Sequence, residues 1–198
     1  AGTLDISGGN ISGVATVSGG GVCVDGGSFS HIGGSISNST AGNDAIDGFG
    51  GGVCVSSGSY TLSNQGTISG NTAGYGGGIA TINSGIMTIS GGKISGNKAN
   101  YGGGGVYVAN SSSTAADALI NGGSIINNTA NYGGGVCLDD TSDSSKWENN
   151  ASYRYKLSIY GGKIGEKVDD EEQGNMATYG AGIYAGEGAE LYTNNVTI

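Results

Sequence analysis

Short apolar segments alternate with glycine and asparagine along most of the chain, and this pattern predicts strands. Segments such as Val22–Val24 and Val53–Val55 carry β-branched residues at every second position. Alternation with a period of two, bounded by glycine and asparagine, is typical of strands. None of the apolar segments is long enough to indicate a helix. The sequence therefore predicts an all-β chain.

The segment pattern repeats, and every repeat begins with a run of glycines. Self-similarity at a spacing of a few tens of residues is typical of solenoids. Each repeat holds three apolar segments, so we predict a right-handed parallel β-helix (a solenoid) of about six to seven coils with three strands per coil. We expect residues 1–198 to form a single β-helix repeat domain. The glycine runs start at Gly19, Gly50, Gly76, Gly102, Gly133 and Gly180.

Stacked repeats place like residues above one another, and we predict three aliphatic columns that line the interior. Alternate residues of a strand face opposite sides, so apolar positions two residues apart point inward together. Val53 should therefore lie beside Ile79 on the next coil. The first column comprises Val22, Val53, Ile79, Val106, Val136 and Ile183, the second Val24, Val55, Thr81, Val108, Leu138 and Ala185, and the third Ile36, Ile68, Ile94, Ile125 and Ile164.

Two further sets of aligned residues mark the corners of the coils. Glycine permits the positive φ of a sharp corner, and asparagine amides can satisfy corner backbone groups. The predicted aromatic ladder, just before the glycine runs, comprises Phe49, Tyr75, Tyr101, Tyr132 and Tyr179. The predicted asparagine ladder comprises Asn71, Asn97 and Asn128, with Ser39 at this position in the second coil and Lys167 in the sixth.

A long loop insertion at about 139–172 interrupts the sixth coil and contains the only tryptophan. Aromatic and basic side chains on a loop could bind a sugar ring or a protein. The alternative is that the loop folds over the outer wall and buries its tryptophan there. The candidate ligand-binding residues are Trp147, Tyr153, Arg154 and Tyr155.

Three acids at the start of the insertion, Asp139, Asp140 and Asp143, could supply oxygen ligands to calcium. Their spacing lacks the order of an EF-hand loop, and a solvated acidic loop is the alternative. No other cofactor is indicated.

Composition and charge narrow the range of partners. Glycine supplies 44 of the 198 residues, proline is absent and the formal net charge is −9. Such a charge disfavours contact with phosphate backbones and anionic lipid. No apolar run is long enough to span a bilayer. We therefore expect no nucleic-acid partner and no direct membrane insertion.

A catalytic site is not indicated between residues 1 and 138. Glycoside hydrolysis needs two neighbouring carboxylates and a lyase needs a base, and no acidic pair aligns on adjacent coils there. The only histidine, His31, has no aligned carboxylate, so we assign it no catalytic role. We expect no enzyme; the alternative is a polysaccharide lyase or hydrolase with a site near the 139–172 insertion.

The three cysteines, Cys23, Cys54 and Cys137, share one column with Ala80, Tyr107 and Tyr184. Because this column lies between two inward columns, we predict that it faces outward as an apolar stripe. Cys23 and Cys54 should be near enough for a disulfide, yet in-register parallel strands seldom orient the Cβ atoms suitably. We therefore expect free thiols.

Two short motifs resemble a known repeat family. Gly77–Ile79 and Gly134–Val136 resemble a Gly-Gly-Ala-Ile motif, and the segments that end at Asn71, Asn97 and Asn128 resemble Phe-x-x-Asn, with isoleucine for phenylalanine. In these residues the chain is similar to chlamydial polymorphic outer-membrane proteins and to adhesin-like surface proteins of gut bacteria. The resemblance implies a secreted or surface-displayed β-helix used for attachment, within a far longer polypeptide, and it brings no catalytic residue.

The leading functional hypothesis is a non-enzymatic extracellular or bacterial cell-surface module. It would serve as a stalk or adhesin segment whose loops bind a glycan or a host or cell-surface protein. Open coil ends leave unpaired backbone groups, so we also expect flanking coils of the same polypeptide at both ends. An ice-binding face of serine and threonine columns is a third hypothesis, although Lys93 and Lys163 interrupt that column.

Overall fold

The computed structural model describes residues 2–15, 17–43, 47–109, 117–138, 155–165 and 174–198. These residues form twenty β-strands, and no α-helix occurs among them, which confirms the predicted all-β class. In the same part of the chain, no helix has the length and apolar character needed to cross a membrane.

The strands are short, apart from three long ones in the first half of the chain. They are β1 Thr3–Ile11, β2 Val14–Ala15, β3 Val22–Ser37, β4 Thr40–Ala41, β5 Val53–Leu62, β6 Thr67–Ser69, β7 Thr72–Tyr75, β8 Ile79–Ile89, β9 Lys93–Ser95, β10 Lys98–Gly102, β11 Val106–Val108, β12 Asp117–Ile120, β13 Ser124–Ile126, β14 Thr129–Tyr132, β15 Val136–Leu138, β16 Tyr155–Ile159, β17 Lys163–Ile164, β18 Met176–Tyr179, β19 Ile183–Ala185 and β20 Ala189–Thr193.

The strands form two parallel sheets. The larger sheet has fourteen strands, and its main path runs β17-β13-β9-β6-β3-β5-β8-β11-β15-β19. The smaller sheet has six strands in the order β18-β14-β10-β7-β4-β2. Each of the four inner strands of the smaller sheet therefore lies beside the strand one repeat earlier and the strand one repeat later. Parallel pairing of this kind requires a long connection between partners, and here each connection is one repeat of the sequence.

Like residues of successive repeats are register partners across these sheets. Val53 pairs with Ile79 in β5 and β8, which confirms the predicted alignment, and Val106 pairs with both Ile79 and Val136. The isoleucine column is also in register throughout. Its pairings are Ile36 with Ile68, Ile68 with Ile94, Ile94 with Ile125 and Ile125 with Ile164.

The aliphatic columns form the buried core. Val53, Ile79, Val106 and Val136 are inaccessible to solvent, as are the central members of the isoleucine column. Thr81 is a polar residue in these apolar columns. Its hydroxyl is buried among valines and has no hydrogen-bond partner in the described part of the chain. A hydroxyl buried in this way costs free energy that a methyl group would not.

The glycine corners turn the chain with backbone alone. One glycine of each run adopts φ between 60° and 67°, a region that favours glycine. The next glycine is required for close packing, since a Cβ on Gly77 would lie 2.5 Å from the Lys98 carbonyl oxygen of the following repeat. The glycines with the positive φ are Gly19, Gly50, Gly76, Gly103, Gly133 and Gly180.

The fourth repeat corrects one predicted alignment. Gly102 was expected to begin its glycine run, but Gly103 has the positive φ and Gly102 pairs with Tyr75. The run contains four glycines instead of three, and the extra residue is absorbed by a register shift within β10. Tyr101 therefore lies one residue before the position that the aromatic residue occupies in the other repeats.

The asparagine corners turn the chain with side-chain amides. Asn97 Oδ1 accepts hydrogen bonds from the backbone N–H and from Nδ2 of Asn71, both at 3.0 Å, and Asn97 Nδ2 donates to the Ile68 carbonyl at 3.1 Å. Asn128 Oδ1 accepts the same two hydrogen bonds from Asn97 in the next repeat. The backbone N–H of Asn128 in turn donates to Asn175 Oδ1 at 2.9 Å. Asn71, Asn97 and Asn128 are buried.

Asn175 extends the asparagine ladder, and the sequence interpretation missed it. Lys167 was assigned to this position by counting from Ile164, and Lys167 lies outside the described residues. Asn175 Nδ2 donates to the Ile125 carbonyl at 2.8 Å, as each earlier amide does to an isoleucine. At the other end, Ser39 stands in the ladder as predicted, and its backbone N–H donates to Asn71 Oδ1 at 2.9 Å.

Candidate functional site

The aromatic residues beside the glycine corners form the most distinctive surface feature of the described chain. Tyr75, Tyr132 and Tyr179 end strands of the smaller sheet, where the backbone turns into a glycine run. Tyr101 is the last residue but one of β10, and Phe49 forms an isolated bridge to Tyr75. Stacking of equivalent strands at about 4.8 Å brings such side chains within ring-contact distance. We call Tyr101, Tyr132 and Tyr179, the more exposed members, the tyrosine ridge.

The first three aromatic residues form one continuous stack. The ring centroids of Phe49 and Tyr75 are 5.2 Å apart with an interplanar angle of 18°. Those of Tyr75 and Tyr101 are 5.1 Å apart at 22°. Offset stacking of this kind stabilises aromatic pairs beyond the area they bury.

The last two members form a second stack. Tyr132 and Tyr179 have centroids 5.1 Å apart and an interplanar angle of 13°. Tyr184, from the strand that follows the glycine corner, packs against Tyr132 at 5.0 Å with a tilt of 58°. In the described chain no ring contact joins Tyr101 to Tyr132, because Gly102 is the register partner of Tyr132.

Tyr107 fills the space that Gly102 leaves. A Cβ on Gly102 would meet the Tyr107 ring at 3.3 Å, and the centroid of that ring lies 5.1 Å from that of Tyr75. In the preceding repeat the sizes are reversed, with a tyrosine at position 75 and an alanine at position 80. One large and one small residue thus share each of these two corners, and Tyr107 is completely buried.

This packing corrects the prediction of an outward apolar stripe. Cys54, Ala80, Tyr107 and Cys137 are inaccessible to solvent, so both faces of the strands that carry them are buried. The aromatic residues cause this, because Phe49 and Tyr75 lie against Tyr107 across the corner. From Cys54 to Cys137 the column is therefore a second, smaller core instead of a surface, whereas Cys23 is exposed and Tyr184 is half-buried.

The cysteines are free thiols in the structure, in agreement with the expectation. Cys23 is exposed and pairs in register with the buried Cys54. Burial, with a smaller effect from Cys23, raises the pKa of Cys54 to about 12. Burial and the nearby Asp25 also raise the pKa of Cys23. Because the thiolate is the reactive form, neither residue is a strong nucleophile at neutral pH.

His31 lies in the core, on strand β3. Its Nδ1 is 3.1 Å from the Tyr60 hydroxyl, its Nε2 is 3.4 Å from the Gly34 carbonyl, and its ring stacks on Phe29. Burial lowers the pKa of His31 and raises that of Tyr60. A neutral histidine fixed in this way has no access to a substrate at the surface.

The aromatic residues of this column differ in exposure. Phe49 and Tyr75 are largely covered, Tyr132 is half-buried, Tyr101 is 39% exposed and Tyr179 is 54% exposed. Rings stacked about 5 Å apart leave no room for a ligand between them, so a ligand meets ring edges and hydroxyl groups along the ridge.

Polar side chains accompany the ridge on the same sheet. Asn131 Nδ2 donates to the Asn100 carbonyl at 2.8 Å, which connects the two repeats beside Tyr101 and Tyr132. Lys98 and Thr129 are exposed register partners, and each lies three residues before the tyrosine of its strand. Aromatic rings with hydroxyl, amide and ammonium groups nearby are the donor set that suits a polyhydroxylated ligand.

The predicted site in the insertion lies almost entirely outside the described residues. This holds for Trp147, Tyr153 and Arg154 and for the candidate calcium ligands Asp139, Asp140 and Asp143. Tyr155 is described, and it begins strand β16 with its ring 6% exposed in the core. Its ring therefore cannot contribute to an exposed binding platform. Within the described ranges, no group of three or more His, Cys, Asp or Glu residues could hold a metal ion.

Comparison with protein-family models, curated proteins and solved structures finds no match to this chain. Its role therefore has to be inferred from its own residues.

Proposed function

We propose that the chain is a non-enzymatic, extracellular or cell-surface module that binds glycans through the tyrosine ridge. The stacked repeats would form a right-handed parallel β-helix with three strands per coil, which presents the ridge along one edge. The resemblance to chlamydial polymorphic outer-membrane proteins and gut bacterial adhesins agrees with this proposal. A host or cell-surface protein is the other class of ligand that the sequence suggests.

The observation that carries the proposal is the exposure of Tyr101, whose strand pairs with a strand of the repeat before it and of the repeat after it. Tyr101 is 39% exposed, although an aromatic side chain of this size contributes most to stability when it is buried. Its covered face rests on Tyr75, which fixes the ring in place. A sugar presents apolar C–H groups on one face and hydroxyls around its edge, so a rigid phenol ring with polar neighbours matches it.

A glycan screen followed by titration calorimetry tests the proposal. We would screen mucin-type glycans, pectins and alginates, and then titrate the best oligosaccharide into the unsubstituted chain. The Tyr179→Ala and Tyr101→Ala variants should each bind about tenfold more weakly, which corresponds to about 1.4 kcal/mol. Tyr160→Ala is the matched control, because Tyr160 is also 54% exposed and follows a strand of the other sheet.

Two results would contradict the proposal. Equal losses in Tyr160→Ala and Tyr179→Ala would show that the ridge has no special role. Release of shorter oligosaccharides from any of these polymers would favour the alternative of a polysaccharide lyase or hydrolase with a site near 139–172.

A further inference from the structure

The outer face of the smaller sheet carries a single charge in the middle of the stack. Strands β7, β10 and β14 each pair with a strand on both sides. Their central alanines, Ala73, Ala99 and Ala130, are buried, so the residues that flank these alanines face outward. Lys98 lies on this outer face and is exposed. It is the only charged residue in the described strands of the smaller sheet.

Lys98 has no opposite charge beside it. Its register partners are Thr72 in the preceding repeat and Thr129 in the following one, and both are uncharged. Its ammonium group makes no ion pair with a carboxylate of the described residues. A positive charge that the protein itself leaves unpaired is available to an anionic ligand.

Tyr101 lies on the same strand, three residues after Lys98. Three residues of an extended strand span about 10 Å. The register shift between Ala99 and Gly102 interrupts the alternation of β10, and Tyr101 is 39% exposed. The lysine side chain is long and flexible, so its ammonium group can move towards the ring. A short oligosaccharide can therefore contact both side chains at once.

The backbone beneath these two side chains is fixed by hydrogen bonds to both neighbouring repeats. The Lys98 N–H donates to the Asn71 carbonyl of the preceding repeat at 2.8 Å. The Asn100 carbonyl accepts from Asn131 Nδ2 of the following repeat, also at 2.8 Å. The strand that carries Tyr101 is thus in place before a ligand arrives, which lowers the entropic cost of binding.

The charge of the whole chain limits the kind of anion that can bind there. A formal net charge of −9 repels a densely charged polymer, whereas one lysine can pair with one carboxylate. Lysine is a compact point charge, in contrast to the planar fork of arginine. The arrangement therefore suits a sugar that carries one carboxylate, with an apolar face for the ring and an anion for the ammonium group.

We propose that the tyrosine ridge binds glycans that contain a carboxylated sugar. The carboxylate pairs with Lys98, and the same sugar or its neighbour in the glycan contacts the Tyr101 ring. This inference rests on the proposed function of the ridge and adds the class of ligand. Uronic acids and sialic acids both supply such a carboxylate, and the experiment distinguishes them.

Two acidic oligosaccharides, each compared with its own methyl ester, test the inference. The probes are sialyllactose for sialic acid and trigalacturonic acid for uronic acid. Methyl esterification removes the negative charge and keeps the sugar. In NMR titrations the unsubstituted chain should bind at least one acid about three- to fivefold more tightly than its ester, as an exposed ion pair allows. Added salt should reduce this preference.

Substitutions of Lys98 show whether that residue causes the preference. Lys98→Gln should remove the preference and leave binding of the esters unchanged, whereas Lys98→Arg should retain it. Lys156→Gln is the matched control, because Lys156 is an exposed lysine of the larger sheet and its loss changes the net charge equally. Tyr101→Ala should weaken binding of acid and ester alike, by about tenfold. Circular dichroism verifies that each variant folds.

The inference is wrong if neither acid binds, or if both acids bind no more tightly than their esters. It is also wrong if Lys98→Gln and Lys156→Gln reduce the preference equally, since the preference would then come from net charge. Failure of the proposed function has a different signature, namely binding that Tyr101→Ala does not weaken. A Tyr101 effect without any preference for acids would leave the ridge as a glycan site and exclude this class of ligand.

Discussion

The glycine corner and the asparagine corner turn the chain once per repeat, and they do so by opposite means. At the glycine corner no side chain is tolerated, and backbone packs directly on the backbone of the next repeat. At the asparagine corner a side chain fills the bend, and its amide makes the bonds that neighbouring backbone groups would otherwise lack. The first corner is therefore limited by space and the second by hydrogen bonding.

Because the two corners differ in this way, different substitutions should lower the stability of each. A corner limited by space should fail when any atom is added, whatever its polarity. A corner limited by hydrogen bonding should fail when polar atoms are removed, even if the size is preserved. Substitutions at three positions test this contrast directly, and a substitution at His31 tests a region outside both corners.

The largest effect is expected for Gly77→Ala. Its Cβ would lie 2.5 Å from the Lys98 carbonyl oxygen and 2.6 Å from the carbonyl carbon, and these are backbone atoms that cannot rotate away. We expect a loss of about 4 kcal/mol in the free energy of unfolding, above the usual range for overpacking. Urea unfolding measures it. A loss below about 1 kcal/mol would show that the repeats can separate slightly at this corner.

The next effect is expected for Asn97→Ala. The substitution removes the acceptor of the Asn71 backbone N–H and the donor to the Ile68 carbonyl, both of them in a buried corner. We expect a loss of about 3 kcal/mol. Asn97→Leu, which preserves the volume, should lose as much. Substantial recovery by leucine would mean that the corner is limited by packing, as the glycine corner is.

A smaller effect is expected from pH, and it should not depend on either corner. Burial lowers the pKa of His31, so the unfolded chain binds a proton more readily than the folded one. The stability that His31 contributes is complete above the unfolded pKa of about 6.5 and decreases as the pH falls below it. His31→Leu, which copies the partner residue Leu62, should weaken this acid dependence in thermal unfolding.

Asn97→Ala serves as the control for this pH effect, because it should keep the acid dependence of the unsubstituted chain at a lower overall stability. An unchanged acid dependence in His31→Leu would assign the dependence to the carboxylates instead.

The smallest effect is expected for Gly96→Asn, at the residue just before Asn97. Gly96 has φ of +65°, and a Cβ there would find no atom closer than 4.0 Å. The equivalent Asn127 adopts φ of +56°, so asparagine is compatible with this corner. We expect a change within about 0.5 kcal/mol in urea unfolding. A loss comparable to that of Gly77→Ala would remove the distinction between the two corners.

Much of the fold could be predicted because each repeat carries its own register. The pairing of Val53 with Ile79 follows from spacing alone, since the residues between them form one complete repeat. The prediction was wrong where the number of glycines in the run changed. A fourth glycine moved the corner from Gly102 to Gly103, and spacing cannot tell which of four glycines takes the positive φ.

The position of Asn175 could not be predicted for a related reason. The residues between Ile164 and Asn175 include an insertion, and only the hydrogen bond from Asn128 identifies Asn175 as the next member of the ladder. The burial of Cys54 was missed because strand alternation assigns side chains to the two faces of one strand. It does not indicate that Phe49 and Tyr75 fold back across the corner to cover the outer face.

The candidate site was predictable in part. The sequence aligned Tyr132 with Tyr179, and the structure places their rings in contact. It did not show that Tyr101 is exposed while Tyr107 is buried, because both depend on the register shift at Gly102. The sequence favoured the insertion instead, since a tryptophan on a loop is a more familiar sign of binding than a tyrosine at a corner.

The tight stacking of the asparagine ladder makes this molecule a poor spacer. Asn97 follows Asn71 by 26 residues, yet neighbouring strands in a sheet are only about 4.8 Å apart. An α-helix covers that distance with about three residues. Each repeat of the sequence therefore adds only about 4.8 Å in the direction of stacking, while it contributes strands to both sheets. The protein gains much more surface than length from each repeat.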